Sequence, residues 1–332
     1  MKLVLSTSNI MTSHPSISHR PLTEKSNTEL TGSLRNNITS AQEAAKSSSQ
    51  TTKSASPKAP WIAETTSTLS IPCPSLSRSG PLQEPRSAYD ITVKLFFLPS
   101  IPSSRRCEHT REALDLVLKE LGVDSIDLLI TSFPGISFDA EDDSDSDLSD
   151  LSQPSSPTHN TFDSVSAGVD GCGDSVVQPE SIDSLLTTYA TLESLVDSGL
   201  IHTLGLAEFG TSRLQKFLPK TRIPPTVDQI NVRDCCVVPR PLIQYAKAQG
   251  LELLTHNDCT DILPRGTLRD LLGPKEGKGV GVLAGTGEKE DGELGLRGDV
   301  EPQFVVKYTA VVRDRGVVEN KGYFAVAELN EE

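Results

Sequence analysis

The most regular hydrophobic pattern lies in the middle of the chain, where helical stripes alternate with short apolar runs. Between Arg111 and Leu121, the residues Leu114, Val117, Leu118 and Leu121 fall at i, i+3, i+4 and i+7, one face of an amphipathic helix. Gly122 follows as its C-terminal cap. Ile126 to Thr131 is then nearly all apolar, the composition of a strand buried on both faces. The next stripe, Leu185, Leu186, Tyr189, Leu192, Leu195 and Val196, predicts a helix over Ile182 to Ser198 that stops at Gly199. A strand at Ile201 to Leu206, a short helix at Thr211 to Leu218, and a loop and strand at Pro224 to Val232 follow. A helix at Pro241 to Gln249, stopped by Gly250, and a strand at Leu251 to Thr255 complete the run. Such alternation implies parallel strands joined by right-handed crossovers.

The pattern extends both ways. Upstream, Tyr89 to Leu98 (YDITVKLFFL) is β-branched and aromatic, a strand, and Ser104 is expected to cap the helix after it. Downstream, Gly266 to Leu272 begins a helix. Phe304 to Arg315 reads as another helix on Val305, Tyr308, Val311 and Val312, and Gly316 to Ala327 holds the last strand. From Tyr89 about six βα units appear, with a partial start upstream, which predicts an α/β fold of the (β/α)8 TIM-type barrel kind. No Gly-x-Gly-x-x-Gly follows a strand, which argues against an open dinucleotide-binding sheet. The polar tails SFPG, AEFG, RDCC and HNDC fall at strand C-terminal ends, the functional face of such a barrel.

Three stretches lack the pattern. Residues 1–88 read as a Ser/Thr-rich arm ahead of a barrel over 89–332. In the arm, Leu3 to Met11 suits an edge strand or hairpin and Ser40 to Ser56 a flexible segment. Trp61, the only tryptophan, either anchors the arm to the core or is buried locally in a loop. Residues 138–178 are acidic and rich in Ser and Pro, a disordered insertion whose serines suit an acid-directed kinase or simply a solvated loop. Residues 273–299 form a Gly-rich, charged loop.

Charge narrows the function. The chain carries 31 basic and 45 acidic residues, a net −14, which disfavours nucleic acid as the main partner. No apolar run is long enough to span a bilayer, and the N-terminus lacks a secretory h-region. The 6 cysteines are sparse and form no Cys-x-x-Cys pair, which suits reduced thiols and a cytoplasmic location.

The strand ends carry a resemblance. LGVDSIDLLITSFP is similar to the aldo-keto reductase segment in which a Leu-Gly-x-Asp-x-Ile-Asp helix end feeds a strand finishing in His-Trp-Pro. GLIHTLGLAEF resembles that family's Gly-x-Ile-x-x-Ile-Gly-Val-Ser-Asn-Phe, and PTVDQINV its Pro-x-x-Asn-Gln strand. The family reduces carbonyls with NADPH through an Asp, Tyr, Lys and His set, the Tyr giving the proton. The resemblance places the Lys at Lys94 and the His at Ser132, which cannot replace an imidazole. No Asp precedes Asp90 and no Tyr precedes Tyr89, so the other two groups are missing. The Ser-Asn pair that would hold the nicotinamide falls on Ala207 and Glu208, Gln229 is kept beside Asp228, and His256 stands at the stacking position. Only about ten residues follow Gly322, where the family needs an Arg-bearing helix for the adenosine phosphate. Lys94 and Ser132 are therefore relic positions, and no catalytic residue and no cofactor are expected.

A narrower resemblance fits DQINVRDCCVVP, LLTHND, ITVKLFF, the opening KLVLSTSNIM and the segment Phe304 to Leu329. Together they resemble the regulatory (modifier, light-chain) subunits of glutamate–cysteine ligase, a branch of the aldo-keto reductase superfamily. The resemblance implies a non-catalytic regulator that pairs with the ligase catalytic subunit as a heterodimer, raises glutamate affinity and relieves glutathione feedback inhibition. The alternative is an NADPH-dependent oxidoreductase with an altered site. Partner contacts are expected at Cys235, Cys236, His256, Asn257 and Asp258. Cys235 and Cys236 read equally as a redox-sensitive link and as small residues packing a rim. His256, Asn257 and Asp258 read also as a capped turn. His256, Asp258 and Cys259 have ligand types but not ligand spacing, so no metal is expected.

Overall fold

A computed structural model describes residues 1–12, 26–49, 60–76, 80–138, 179–232, 238–259, 261–284 and 294–330. Its strands are β1 (Lys2–Ser6), β2 (Ala63–Glu64), β3 (Thr68–Ile71), β4 (Tyr89–Phe97), β5 (Ile126–Ser132), β6 (Ile201–Ala207), β7 (Val227–Asn231), β8 (Glu252–His256), β9 (Asp299–Val312) and β10 (Val317–Asn330). Its helices are α1 (Ser26–Ser49), α2 (Arg106–Leu121), α3 (Ile182–Asp197), α4 (Thr211–Phe217), α5 (Arg240–Gln249) and α6 (Thr267–Leu272). The strands form one sheet in the order β2-β3-β1-β10-β9-β4-β5-β6-β7-β8. From β4 to β8 every ladder is parallel, each strand leading to the next through a helix where α2, α3, α4 and α5 intervene. On the other side of β4 the ladders to β9, β10 and β1 are antiparallel.

The sheet is curled as a barrel wall. Lys94 on β4 donates to Gln229 Oε1 on β7 at 2.9 Å. Those strands are three positions apart in the ladder order, about 14 Å on a flat sheet at the usual strand spacing. The curl is not closed by hydrogen bonds: among the described residues no ladder joins β8 to β2. Alternation along each strand feeds two cores. Ile91, Val93, Leu95 and Phe97 pack with α2 to α5, whereas Phe96 and Leu98 pack with α1, α6 and the arm.

Two charges fasten the parallel half, the half-buried Asp127 and the buried Arg106. Asp127, from the Asp-x-Ile-Asp stretch, accepts from Ile91 N at 2.7 Å, Arg86 at 2.8 Å and Arg313 at 2.9 Å, and so ties β5 to β4 and to the β9–β10 turn. Arg106 lies between the rings of Phe97 and Phe133, 5.2 and 5.3 Å from their centroids, and pairs with Glu180. Glu180 stands just before α3, so this pair ties the start of α2 to the start of α3.

Several expectations need correction. Phe304 to Arg315 is a strand, β9, not a helix. Phe304, Val306, Tyr308, Ala310 and Val312 belong to one core while Val305 belongs to the other, a period of two that suits the β-branched FVVKYTAVV. The first strand is not an edge, because β1 lies between β10 and β3. The stretch expected to be flexible from Ser40 is helical as far as Ser49 and ends a 24-residue helix, α1. Leu30, Leu34, Ile38, Ala41 and Ala45 form its buried stripe, diluted in the sequence by Ser, Thr and Asn. Trp61 is 2% exposed and packs in the same core, so it anchors the arm. Ser104 does not cap α2: it sits in a 3-10 turn, and Arg105 precedes the helix without a capping side chain. Phe138 is buried in the first core, and residues 139–178 lie outside the described residues. In the Gly-rich stretch Val280, Val282 and Leu283 are buried, and Gln42 of α1 donates to Val280 O at 2.7 Å. No described helix is long and apolar enough to cross a membrane.

If α1 is part of the folded unit, Leu34→Ala should destabilise the whole protein by about 2–5 kcal/mol, the range for a fully buried leucine. A lower urea midpoint in a single transition, followed by far-UV circular dichroism and by Trp61 fluorescence, is the expected result. An unchanged midpoint would mean that the arm folds apart from the barrel.

Candidate functional site

The sheet register creates an electrostatic problem. In the β4–β9 ladder Lys94 stands directly opposite Lys307. Like charges at such a position repel. The side chain of Lys94 is 5% exposed and that of Lys307 22%, so water does little to separate them. Asp258, in the turn after β8, resolves the repulsion. Lys94 Nζ donates to its Oδ2 at 2.8 Å and Lys307 Nζ to its Oδ1 at 2.9 Å. Burial alone would raise the Asp258 pKa, but the charges of Lys94 and Lys307 override it and hold the carboxyl well below the usual range. Burial lowers the Lys94 pKa, and Asp258 offsets part of that effect.

The turn is set by its own residues. Asp258 N donates to His256 Nδ1 at 3.0 Å, and Asn231 Nδ2 donates to Asp258 O at 3.3 Å. With Nδ1 accepting, the other ring nitrogen of His256 stands 2.7 Å from Glu208 Oε1. Glu208 is held in the left-handed region at φ 66°, and its Oε1 accepts from Asn231 N at 2.8 Å. Below this turn lies a cavity of about 270 Å³, lined among others by Lys94, Gln229, Thr255, His256, Asp258 and Lys307. Behind it, Glu29 of α1 takes hydrogen bonds from Lys321 at 2.7 Å and from the Tyr323 hydroxyl at 2.6 Å. Burial raises the Glu29 pKa and Lys321 lowers it, with a net lowering. Cys259 N donates to Ser26 Oγ at 2.9 Å, which joins the start of α1 to the same turn.

Of the residues singled out from the sequence, Lys94, His256, Asn257 and Asp258 come together around this cavity. Ser132 ends β5 beside Phe96 and does not line it. Cys235 and Cys236 lie outside the described residues. Lys307 was missed, because its strand reads as a helix on apolar positions alone. A period-two reading would have placed it inward beside Lys94. Among the described residues no group of three or more His, Cys, Asp or Glu side chains has metal-binding geometry.

The chemistry available is narrow. Lys94 is spent on Asp258 and Gln229. Tyr89, Tyr189 and Tyr323 give their hydroxyls to Glu319, the Ile223 carbonyl and Glu29. Ala207 has no polar side chain, and Glu208 offers only acceptor oxygens, of which Oε1 already accepts from Asn231 N and lies 2.7 Å from His256 Nε2. That pair does not fit a nicotinamide carboxamide, which needs both a donor and an acceptor.

Residues 76–259 match the aldo/keto reductase family. The protein assigned as glutamate–cysteine ligase regulatory subunit in Schizosaccharomyces pombe is 26% identical over 73% of this chain and 72% of its own length. The glutamate–cysteine ligase regulatory subunit of Mus musculus is 24% identical over 73% of this chain and 68% of its own. An NADPH-dependent D-xylose reductase of Candida boidinii is 34% identical over only 26% of each chain. Among solved structures, the aldo-keto reductase MGS-M4 from a deep-sea metagenome aligns over 58% of this chain and 51% of its own, at 19% identity and a TM-score of 0.33.

Asp258→Asn should leave two buried ammonium groups without a carboxylate and destabilise the fold by about 3–5 kcal/mol at pH 7. The pH dependence follows from the sign of the shift. The folded pKa of Asp258 lies below its unfolded value of about 3.9, so its stabilisation is complete well above that pH. It is lost as pH falls toward the folded pKa. Wild type should therefore lose stability on acidification below about pH 5 more steeply than the variant, in urea unfolding at a series of pH values. Parallel curves would rule out Asp258 as the charge that balances the lysines.

Proposed function

The chain belongs to the aldo/keto reductase family, and from that premise we propose that it serves as a regulatory subunit of glutamate–cysteine ligase rather than as a reductase. It binds the ligase catalytic subunit in the cytoplasm as a heterodimer, raises affinity for glutamate and relieves feedback inhibition by glutathione. The observation that carries this reading is the likeness to ligase regulatory subunits over 73% of the chain. The site supports it. The lysine has a carboxylate partner, as the family's lysine does, but no tyrosine lines the cavity around it. Glu208 brings a carboxylate to the place where the family holds the nicotinamide amide.

Regulation of this kind requires only differential binding. A chain that binds the active conformation of the catalytic subunit better than the glutathione-inhibited one shifts the population toward activity. The reductase alternative draws on the short xylose-reductase likeness and on Lys94 itself. It requires a proton-donating tyrosine at the cavity, and none of the five tyrosines is among its lining residues.

The test is a glutathione titration of the cognate catalytic subunit with and without this chain. The expected result is a fall in the KM for glutamate and a rise in the inhibition constant for glutathione, each by about fivefold or more, the usual size of allosteric coupling. Unchanged constants at saturating chain would overturn the reading, and NADPH oxidation with carbonyl substrates would then establish the alternative.

A further inference from the structure

We propose that the outer edge of β8 is a docking strand, which pairs with an extended segment of the ligase catalytic subunit. The partner's identity rests on the regulatory-subunit reading above; the use of the edge rests on the sheet itself.

The parallel ladder stops at β8. Its inner edge is paired to β7 along Val227 to Asn231. Among the described residues no strand lies on the outer edge. The direction of the free groups follows from the ladder. Glu252 N donates inward to Thr226 O at 2.9 Å, so Glu252, Leu254 and His256 address β7. Leu253 and Thr255 alternate with them and turn their N–H and C=O outward. Two donors and two acceptors thus face away from the sheet at adjacent alternate positions.

Exposure agrees. Glu252 and Thr255 are exposed, and Leu253, Leu254 and His256 are half-buried, although the strand reads from its sequence as interior. In the interior parallel strand β6, two places along the sheet, every residue from Leu204 to Ala207 is buried. The far end of the sheet is blunted, since β2 has only two residues. The β8 edge has five residues, ELLTH, with no proline and no lysine, the devices that usually protect a free edge.

The occupant is defined by these groups. Outward backbone donors and acceptors at alternate positions are satisfied by an extended chain, not by a helix. The exposed Glu252 at the start of the strand, on a chain of net charge −14, favours a segment with a Lys or Arg beside it. Leu253 and Leu254 offer apolar contacts to its neighbours.

The experiment uses the full chain and the purified cognate catalytic subunit. Thr255→Pro removes one outward N–H without touching the bonds to β7; Thr255→Val keeps it. Calorimetric titration should show binding weakened about tenfold or more by proline and changed less than about twofold by valine. Hydrogen exchange of the wild-type chain should show Leu253 and Thr255 amides slowed in the complex, a readout that does not depend on the variant folding. Amides that exchange equally fast in the complex, or full affinity with proline, overturn the edge proposal while leaving the regulatory role intact. Protection of the same amides in a concentration-dependent dimer of the free chain assigns the edge to a second copy and also overturns it. No complex with the wild-type chain at all sinks the regulatory reading, and the edge proposal with it.

Discussion

Two lysines face each other across an antiparallel ladder, and one carboxylate from elsewhere in the chain must reach both. At an effective dielectric near 20, a pair of unit charges about 4 Å apart interacts by about 4 kcal/mol, a large share of a domain's net stability. Asp258 therefore cannot be placed loosely. Its bonds to Lys94 on β4 and Lys307 on β9 bring the turn after β8 over the middle of the sheet. The bond from Lys94 to Gln229 draws β7 to the same point. A flat sheet cannot satisfy these contacts, so the ion network and the curl of the wall require each other.

The same constraint governs what the site can do. A lysine that serves a reductase works on a phenol beside it. Here Lys94 holds the Asp258 carboxylate, and no tyrosine lines the cavity around it. The balance continues into the arm, where Glu29 sits with Lys321 and Tyr323 and feels Lys307 as well. Helix α1 is thus part of the interior. The lysine at the position that the resemblance implies to be catalytic is a structural cross-link among β4, β8, β9 and, at one remove, α1.

How much of this was legible follows from the kind of signal each part carries. The strands and helices from Tyr89 to His256 are near their expected places, because their stripes are long and Gly122, Gly199 and Gly250 mark their ends with positive φ. The hairpin β9–β10 was half misread, since Val305, Tyr308, Val311 and Val312 fit a helical stripe as well as a strand. Helix α1 was hidden by its small, polar outer face, and its buried positions include Ala41 and Ala45, weak hydrophobic signals. Lys94 and Asp258 were both named, but not as a pair. They are 164 residues apart, and spacing along the chain says nothing about a contact made by sheet curvature. Lys307 followed the misread strand.

The route of the chain explains why an unpaired edge remains. A barrel closes when each crossover returns a strand beside the last one. After β8 the described chain passes α6 and then forms β9 and β10 on the far side of β4, between β4 and β1. Those two strands supply Lys307 and Tyr323, and among the described residues β8 has no outer neighbour. One strand order thus both assembles the ion network and leaves that edge. A protein whose interior charges are already satisfied has little to offer a small substrate. Among the described residues the outer backbone groups of β8 have no partner strand, and backbone groups in that arrangement suit another extended chain.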